Sequence, residues 1–238
     1  METIIEQRFF YFACLLTIAF GSRAQIMNGA LNETYANRFY FESQRMDMFR
    51  TLVSNDDFLP TPLGERANEI PLNIWSHQLG ICIGLSRHLY LDGGVSWLQN
   101  GEAYAFEALD SDSTFSYQTR YRYLALPLQV KMTFGDQFKF YGGIGIIPAL
   151  YQGFRQDLQW SNALGAKYDE EVKVNNAMNS FAFSWMGSVG IETQLDNYYT
   201  LRFGALYRQQ LNNSYSPYED YMHKSVGWGL NLGLAKKL

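Results

Sequence analysis

The sequence predicts an all-β protein: a single eight-stranded antiparallel up-and-down transmembrane β-barrel of the outer-membrane type. Three observations predict it. Seven segments from Trp75 onward alternate bulky apolar residues with small or polar ones, the period of a strand with two unlike faces. Their connections alternate between tight turns and long polar loops, the rhythm of an up-and-down membrane barrel. Glycine is concentrated on the face opposite the apolar one.

Composition agrees. The chain has 238 residues, enough for one all-β domain or two small ones. Aromatic residues make up 16% and charged residues only 18%, against roughly 25% charged in soluble domains. The formal charge of -4 is dispersed, so nothing in it selects nucleic acid as a partner.

From the amino terminus, the apolar run Phe9 to Phe20 followed by Ser22-Arg23-Ala24 predicts a secretory signal peptide over 1–24, with cleavage after Ala24 and the barrel domain over 25–238. The surroundings of Cys14 make a poor lipoprotein signal, and Glu2 and Glu6 offset Arg8 ahead of the apolar run. The processed chain would keep one cysteine, Cys82, and could form no internal disulfide. No later stretch approaches the ~18 continuous apolar residues of a membrane-spanning helix.

Clear strands begin at about 75. They are expected at 75–85, 88–99, 119–134, 138–151, 178–195, 198–211 and 224–238. Ser86-Arg87, Gly135-Asp136-Gln137 and Asp196-Asn197 read as tight turns, and 100–118, 152–177 and 212–223 as long loops. A barrel of this type needs an even number of strands, so an eighth is expected before Trp75. Tyr35 to Ser43 is the best candidate, with Met46 to Val53 as a short amphipathic helix in the first long loop.

The two faces decide the solvent. One carries Leu79, Ile81, Leu124, Leu126, Leu128, Val130, Phe140, Ile144, Val189, Phe203 and Leu230; the other carries Gly80, Gly94, Gly143, Gly190, Gly204, Gly229 and Gly233 with Gln78, Ser96, Gln129, Ser188 and Asn231. Eight strands enclose a space only small and polar groups can fill, while hydrocarbon wets the outside. The apolar face is therefore expected outside, so Leu126→Arg should hinder insertion more than Gln129→Arg. Trp75, Trp97, Trp185 and Trp228 lie on that face, each about ten residues from a tight-turn end, which at ~3.3 Å per residue and a tilt near 40° is about 25 Å, the height of an apolar band. Phe134, Phe138 and Tyr199 mark its other edge, giving two aromatic belts.

Asp92, Lys131, Glu192 and Arg202 point inward, each four or five residues from a tight turn. Two acids and two bases at similar depth predict a paired network across the lumen, since buried charges persist when paired and hydrogen-bonded. It reads as a structural plug, with a gate or proton path as the alternative. Cys82 also points inward, as a small lumen filler.

Catalytic and metal patterns are weak. His77, His88 and His223 have no in-phase serine and carboxylate, so no catalytic residues are assigned and no enzyme is expected. Asp110 and Asp112 alone are too few ligands for calcium, and no cofactor is expected. The loops are acidic at Glu107 to Phe115 and Tyr168 to Lys173, and tyrosine-rich at Ser214 to Lys224. Such loops suit ligand or protein contact.

The order of motifs over Trp75 to Leu238 resembles the small outer-membrane β-barrel proteins of Bacteroidota, the PorT-like family. LYLDGGVSWLQNG resembles its second hairpin arm, YLALPLQVKMTFG its most recognisable strand, FKFYGGIGIIPAL and LRFGALYRQQLNN later strands, and LNLGLAKKL its closing strand. The resemblance implies a proline at the position of Pro127, where a bulge is expected, and an integral outer-membrane location in a Gram-negative cell. Its members range from barrels without assigned roles to accessory proteins of secretion. The expected function is thus a non-enzymatic structural or binding barrel. Alternatives are an accessory subunit of a secretion or envelope-assembly complex and small-solute transport, which needs an open lumen. Expected partners are outer-membrane lipid and, through the loops, other envelope proteins.

Overall fold

The computed structural model describes residues 37–50, 66–108, 113–135, 138–162, 164–173, 178–216 and 223–238. The expected signal peptide, Asp110 and Asp112 lie outside the described residues. Eight barrel strands run in chain order: β1 Arg38–Arg50, β2 Leu72–Gly84, β3 Leu89–Glu107, β4 in two pieces (Thr114–Ala125 and Leu128–Phe134), β5 Phe138–Ser161, β6 Phe181–Gln194, β7 Tyr199–Gln210 and β8 Ser225–Lys237. Each pairs antiparallel with its neighbours in sequence, and β1 closes the ring by pairing with both β2 and β8, from Arg38↔Lys237 to Arg50↔Ser225. Closure joins the first strand to the last, as a wall wetted by hydrocarbon requires, while the β2–β3 ladder runs from His77↔Trp97 to Gly84↔Tyr90. This is the architecture of a transmembrane β-barrel.

The eighth strand is longer than Tyr35 to Ser43 suggests. Met46 to Arg50, expected in a helix, is strand: Met46, Met48 and Arg50 alternate into the lumen, and each pairs with β8. The long connections are also shorter than expected. β3 continues to Glu107 against Thr114, and β5 reaches Ser161, where a short strand, Lys167–Val172, folds back onto it. A 3-10 turn, Arg66–Asn68, leads into Glu69–Ile70, which pairs with Tyr104 and Ala103. The barrel wall thus rises past its apolar band as a sheet wetted on its outer side.

Pro127 sits at no bulge. Ser96↔Ala125 and Gly93↔Leu128 keep one register across it. Its carbonyl accepts from the Gly94 amide at 3.2 Å, so the ladder loses only the donor that proline lacks. The register shift lies between Arg122 and Tyr123, opposite β5.

The faces divide as hydrocarbon demands. Phe140 is 66% exposed, Ile144 73%, Val189 62% and Leu230 54%, whereas the buried set includes Gln78, Ser96, Gln129, Ser188 and Asn231. Exposed apolar side chains at this density belong against lipid rather than water. The glycines make room for lumen tyrosines. A Cβ on Gly80 would lie 2.6 Å from Tyr40 Cζ, one on Gly190 2.7 Å from Tyr141 Cζ, and one on Gly204 would collide with the Tyr141 hydroxyl. The lumen is tight at Gln129 as well: a Cβ on Gly143 would lie 2.8 Å from its Nε2. Gln129→Arg is therefore not expected to be well tolerated, contrary to the polarity argument alone.

Candidate functional site

The inward positions of β3, β4, β6 and β7 bring Asp92, Lys131, Glu192 and Arg202 together near the tight-turn end. Lys131 Nζ lies 2.6 Å from Glu192 Oε1 and 3.1 Å from Asp92 Oδ2. Arg202 reaches the same two oxygens, Nη1 to Asp92 Oδ2 at 3.1 Å and Nε to Glu192 Oε1 at 3.0 Å. Cations and anions alternate around a closed four-membered ring. Arg38 adds a third cation, Nη1 to Glu192 Oε2 at 3.2 Å. It escapes sequence reasoning because its inward phase follows only once β1 is placed.

Aromatic rings line this layer. The Arg202 guanidinium sits 4.7 Å from the Tyr40 ring centroid, and Lys131 Nζ 5.5 Å from that of Tyr141, a favourable cation–π arrangement out of bulk water. Cys82, fully buried, lies opposite Asp92 across the β2–β3 ladder. Beside the ring, Glu42, Gln129, Ser188 and Asn231 border a cavity of about 10 Å³, room for about one water at most.

A second polar layer closes the long-loop end. Arg208 Nη2 donates to Asn100 Oδ1 at 2.9 Å, Asn100 Nδ2 to Gln210 Oε1 at 2.8 Å, and Gln210 Nε2 to Ser214 Oγ at 2.9 Å. Arg50 pairs with Glu69, and the Tyr121 hydroxyl donates to Glu102 at 3.2 Å. His223 is buried here, its Nδ1 2.9 Å from Ser214 Oγ and its Nε2 3.3 Å from Ser225 Oγ, with the Tyr121 ring 4.4 Å away. This serine–histidine contact was not legible in the sequence. Among the described residues, two hydroxyls and the Gly101 backbone face its ring, and both Ser214 and His223 are buried; the contact ties Ser214 to the residues that lead into β8. His77 instead faces outward beside Ser43 at 2.9 Å, and His88 binds the Thr133 carbonyl at a tight turn. Among the described residues, no group of three or more His, Cys, Asp or Glu could hold a metal ion.

Trp75, Trp97, Trp185 and Trp228 all stand on the outer face, between 38% and 61% exposed. Above them the sheet of β3, β4, β5 and Lys167–Val172 carries stacked Trp160 and Tyr168 and the ion pairs Arg155–Asp157 and Arg155–Glu171.

The fold and these two layers define a transmembrane β-barrel whose lumen, among the described residues, is crossed by polar side chains at two levels. No protein-family model and no curated protein matches the sequence. Solved structures are similar in fold. The attachment invasion locus protein Ail of Yersinia pestis, solved with the heparin analogue sucrose octasulfate, is similar at 11% identity over 85% of this chain and 99% of that one, with a TM-score of 0.36. Neisserial surface protein A is similar at 12% identity, 84% and 97% coverage and a TM-score of 0.41. The outer membrane protein OprG from Pseudomonas aeruginosa follows at 11% identity, 86% and 97% coverage and a TM-score of 0.41.

Proposed function

We propose that this protein is an integral outer-membrane barrel, exported through a signal peptide cleaved after Ala24. In this reading the lumen is a structural plug, the tryptophans form one of two aromatic belts, and the long-loop end faces outside the cell as a non-enzymatic binding surface. The observation that carries it is the ion ring of Asp92, Lys131, Glu192 and Arg202, whose side chains bridge the lumen beside a cavity of about 10 Å³. A filled lumen disfavours solute transport, so recognition falls to the sheet and loops beyond the apolar band. Planar-bilayer recording of the purified protein tests this. No discrete conductance steps are expected, and reproducible steps would overturn the plug.

A second reading, an accessory subunit of a secretion or envelope-assembly complex, is favoured by the PorT-like order of motifs and by one feature of the sheet. Lys167–Val172 pairs only with β5 among the described residues, leaving its other edge free to accept a partner strand. The charges of Lys167, Asp169, Glu170 and Glu171 keep such an edge from pairing indiscriminately. Mild-detergent co-purification separates the readings: a subunit brings a stoichiometric envelope protein with it, and a lone barrel does not.

A further inference from the structure

The outer face of β4 reads, from the long-loop end downward, Arg120, Arg122, Leu124, Leu126, Leu128, Val130, Met132, Phe134. The ten steps from Leu124 to Phe134 rise about 25 Å at the pitch and tilt of barrel strands, the whole apolar band. Arg122 then stands about 5 Å and Arg120 about 10 Å above the hydrocarbon edge, the depth of lipid headgroups.

Neither arginine has a hydrogen bond or ion pair among the described residues. No acid lies directly across the ladder from either. Arg122 lies between Gln99 on β3 and Gly153 on β5, and Arg120 lies directly opposite Arg155. Nothing stands within 4 Å of where a Gly153 side chain would begin, so the space beside Arg122 is open. Arg155 is already engaged by Asp157 at 3.1 Å and Glu171 at 3.0 Å, which leaves Arg120 and Arg122 as the uncompensated pair. Like charges directly across a ladder repel, and an anion between them would remove that cost. Trp97, opposite Leu124, caps the apolar band next to the same spot.

We propose that Arg120 and Arg122, with Gln99 and the open backbone at Gly153, bind the phosphate of an outer-leaflet lipid headgroup. The inference rests on the membrane-spanning reading above. Two guanidinium forks at alternate strand positions suit phosphate oxygens, which they bind bidentately. The leucine ladder directly below on the same strand face receives the acyl chains, and this continuity selects a lipid over a soluble anion.

The purified barrel in maltoside micelles would be titrated with dioctanoyl phosphatidate, with dioctanoyl glycerol, and with inorganic phosphate, and bound lipid counted by native mass spectrometry. Phosphatidate should bind, and Arg120→Gln/Arg122→Gln should weaken it by roughly tenfold or more, as loss of charge-assisted hydrogen bonds implies. Arg45→Gln, which removes an outward arginine from β1 instead, should change it less than about twofold. Arg122→Gln alone, on an exposed side chain, reads the same effect should the double variant misfold. Unchanged affinity in the arginine variants, or equal binding of the phosphate-free glyceride, would overturn the proposal. Inorganic phosphate binding as tightly as phosphatidate would also overturn it, because the site would then recognise a free anion. A failure of the membrane reading looks different: the wild-type protein would stay dissolved without detergent before any lipid was added.

Discussion

Removing Lys131 should cost more than removing Lys131 and Asp92 together. The Lys131 ammonium is 2% exposed and contacts both acids of the ring. Lys131→Met leaves Asp92 and Glu192 sharing Arg202, with only Arg38 to help. Breaking a buried pair by deleting one partner costs about 3–5 kcal/mol, since the other charge stays buried without its compensation. The choice of second site follows from the geometry. Among the described residues, Glu192 pairs with three cations, Lys131, Arg202 and Arg38, and Asp92 with two, Lys131 and Arg202. Lys131→Met/Asp92→Asn therefore leaves one carboxylate still held by two arginines, and part of the loss should be recovered, by about 2 kcal/mol for charges in one network. With a urea slope of about 1–3 kcal/mol per molar, the double variant should unfold at a visibly higher urea concentration than Lys131→Met. Tryptophan fluorescence of vesicle-reconstituted protein, checked by heat-modifiable gel mobility, measures both midpoints. Equal midpoints at equal slopes would refute the pairing argument, because they would mean water already solvates each charge separately.

Three further outcomes are expected. Ile144→Arg, near the middle of the apolar band, should destabilise the inserted barrel by about 2–4 kcal/mol, and Phe138→Arg, at its edge, by about 0–1 kcal/mol, as equilibrium unfolding in vesicles would show. Gly204→Ala drives a methyl into the Tyr141 hydroxyl and within 2.6 Å of the Val189 carbonyl, so the urea midpoint should fall by the equivalent of about 1–3 kcal/mol. His223, beyond the tryptophan end of the wall, is pushed down to about 3, by burial first and then by the Arg50 charge, against a hydrogen bond that its ring donates to the Gly101 backbone carbonyl. Its opened state, with an ordinary pKa near 6.5, takes a proton that the closed state refuses. The tie to Ser214 and Ser225 is thus at full strength above about pH 6.5 and weakens toward pH 3 by up to about 1.4 kcal/mol per unit. Limited proteolysis of 212–223 should accelerate from pH 7.5 to pH 5, and His223→Asn should flatten that dependence.

Most of the wall was legible because hydrocarbon outside and a narrow lumen inside impose opposite chemistries at a period of two. β1 was obscure because its outer face breaks that rule. Ser43, Arg45 and Asp47 point outward and are answered there by His77 and Asn73, with Arg45 Nε donating to Asn73 Oδ1 at 3.2 Å and Asn73 Nδ2 to Asp47 Oδ1 at 2.8 Å. The upper ends of β3 to β5 resemble loops in sequence for a related reason: above the band polar residues suit the wetted face, and no apolar alternation marks the strand. The inward phase of Asp92, Lys131, Glu192 and Arg202 was readable residue by residue, but their convergence depends on strand stagger, which no single strand records. The contact of Ser214 with His223 depends on a loop's path, for which the sequence carries no periodic signal.

The two polar layers also bear on whether the ion ring is a plug or a proton path. Between the ring and the His223 layer, the buried inward positions mix apolar side chains, Met46 on β1, Ile74 on β2, Leu98 on β3, Met186 on β6 and Leu206 on β7, with the polar Gln44, Gln78, Ser76, Ser96, Gln129, Ser184 and Ser188. Proton transfer along a lumen needs a continuous file of hydroxyls, carboxylates or waters; here the Ser96 hydroxyl donates to the His77 carbonyl at 3.0 Å and the Ser76 hydroxyl accepts from the Gln99 amide at 3.1 Å, so both are tied to the wall. Removing ions from water is costly, so the charges persist here because the ring pairs cation with anion. What that arrangement specifies is geometry: it fixes the stagger at which β3, β4, β6 and β7 can meet, because a slip by one residue would turn each charge into hydrocarbon.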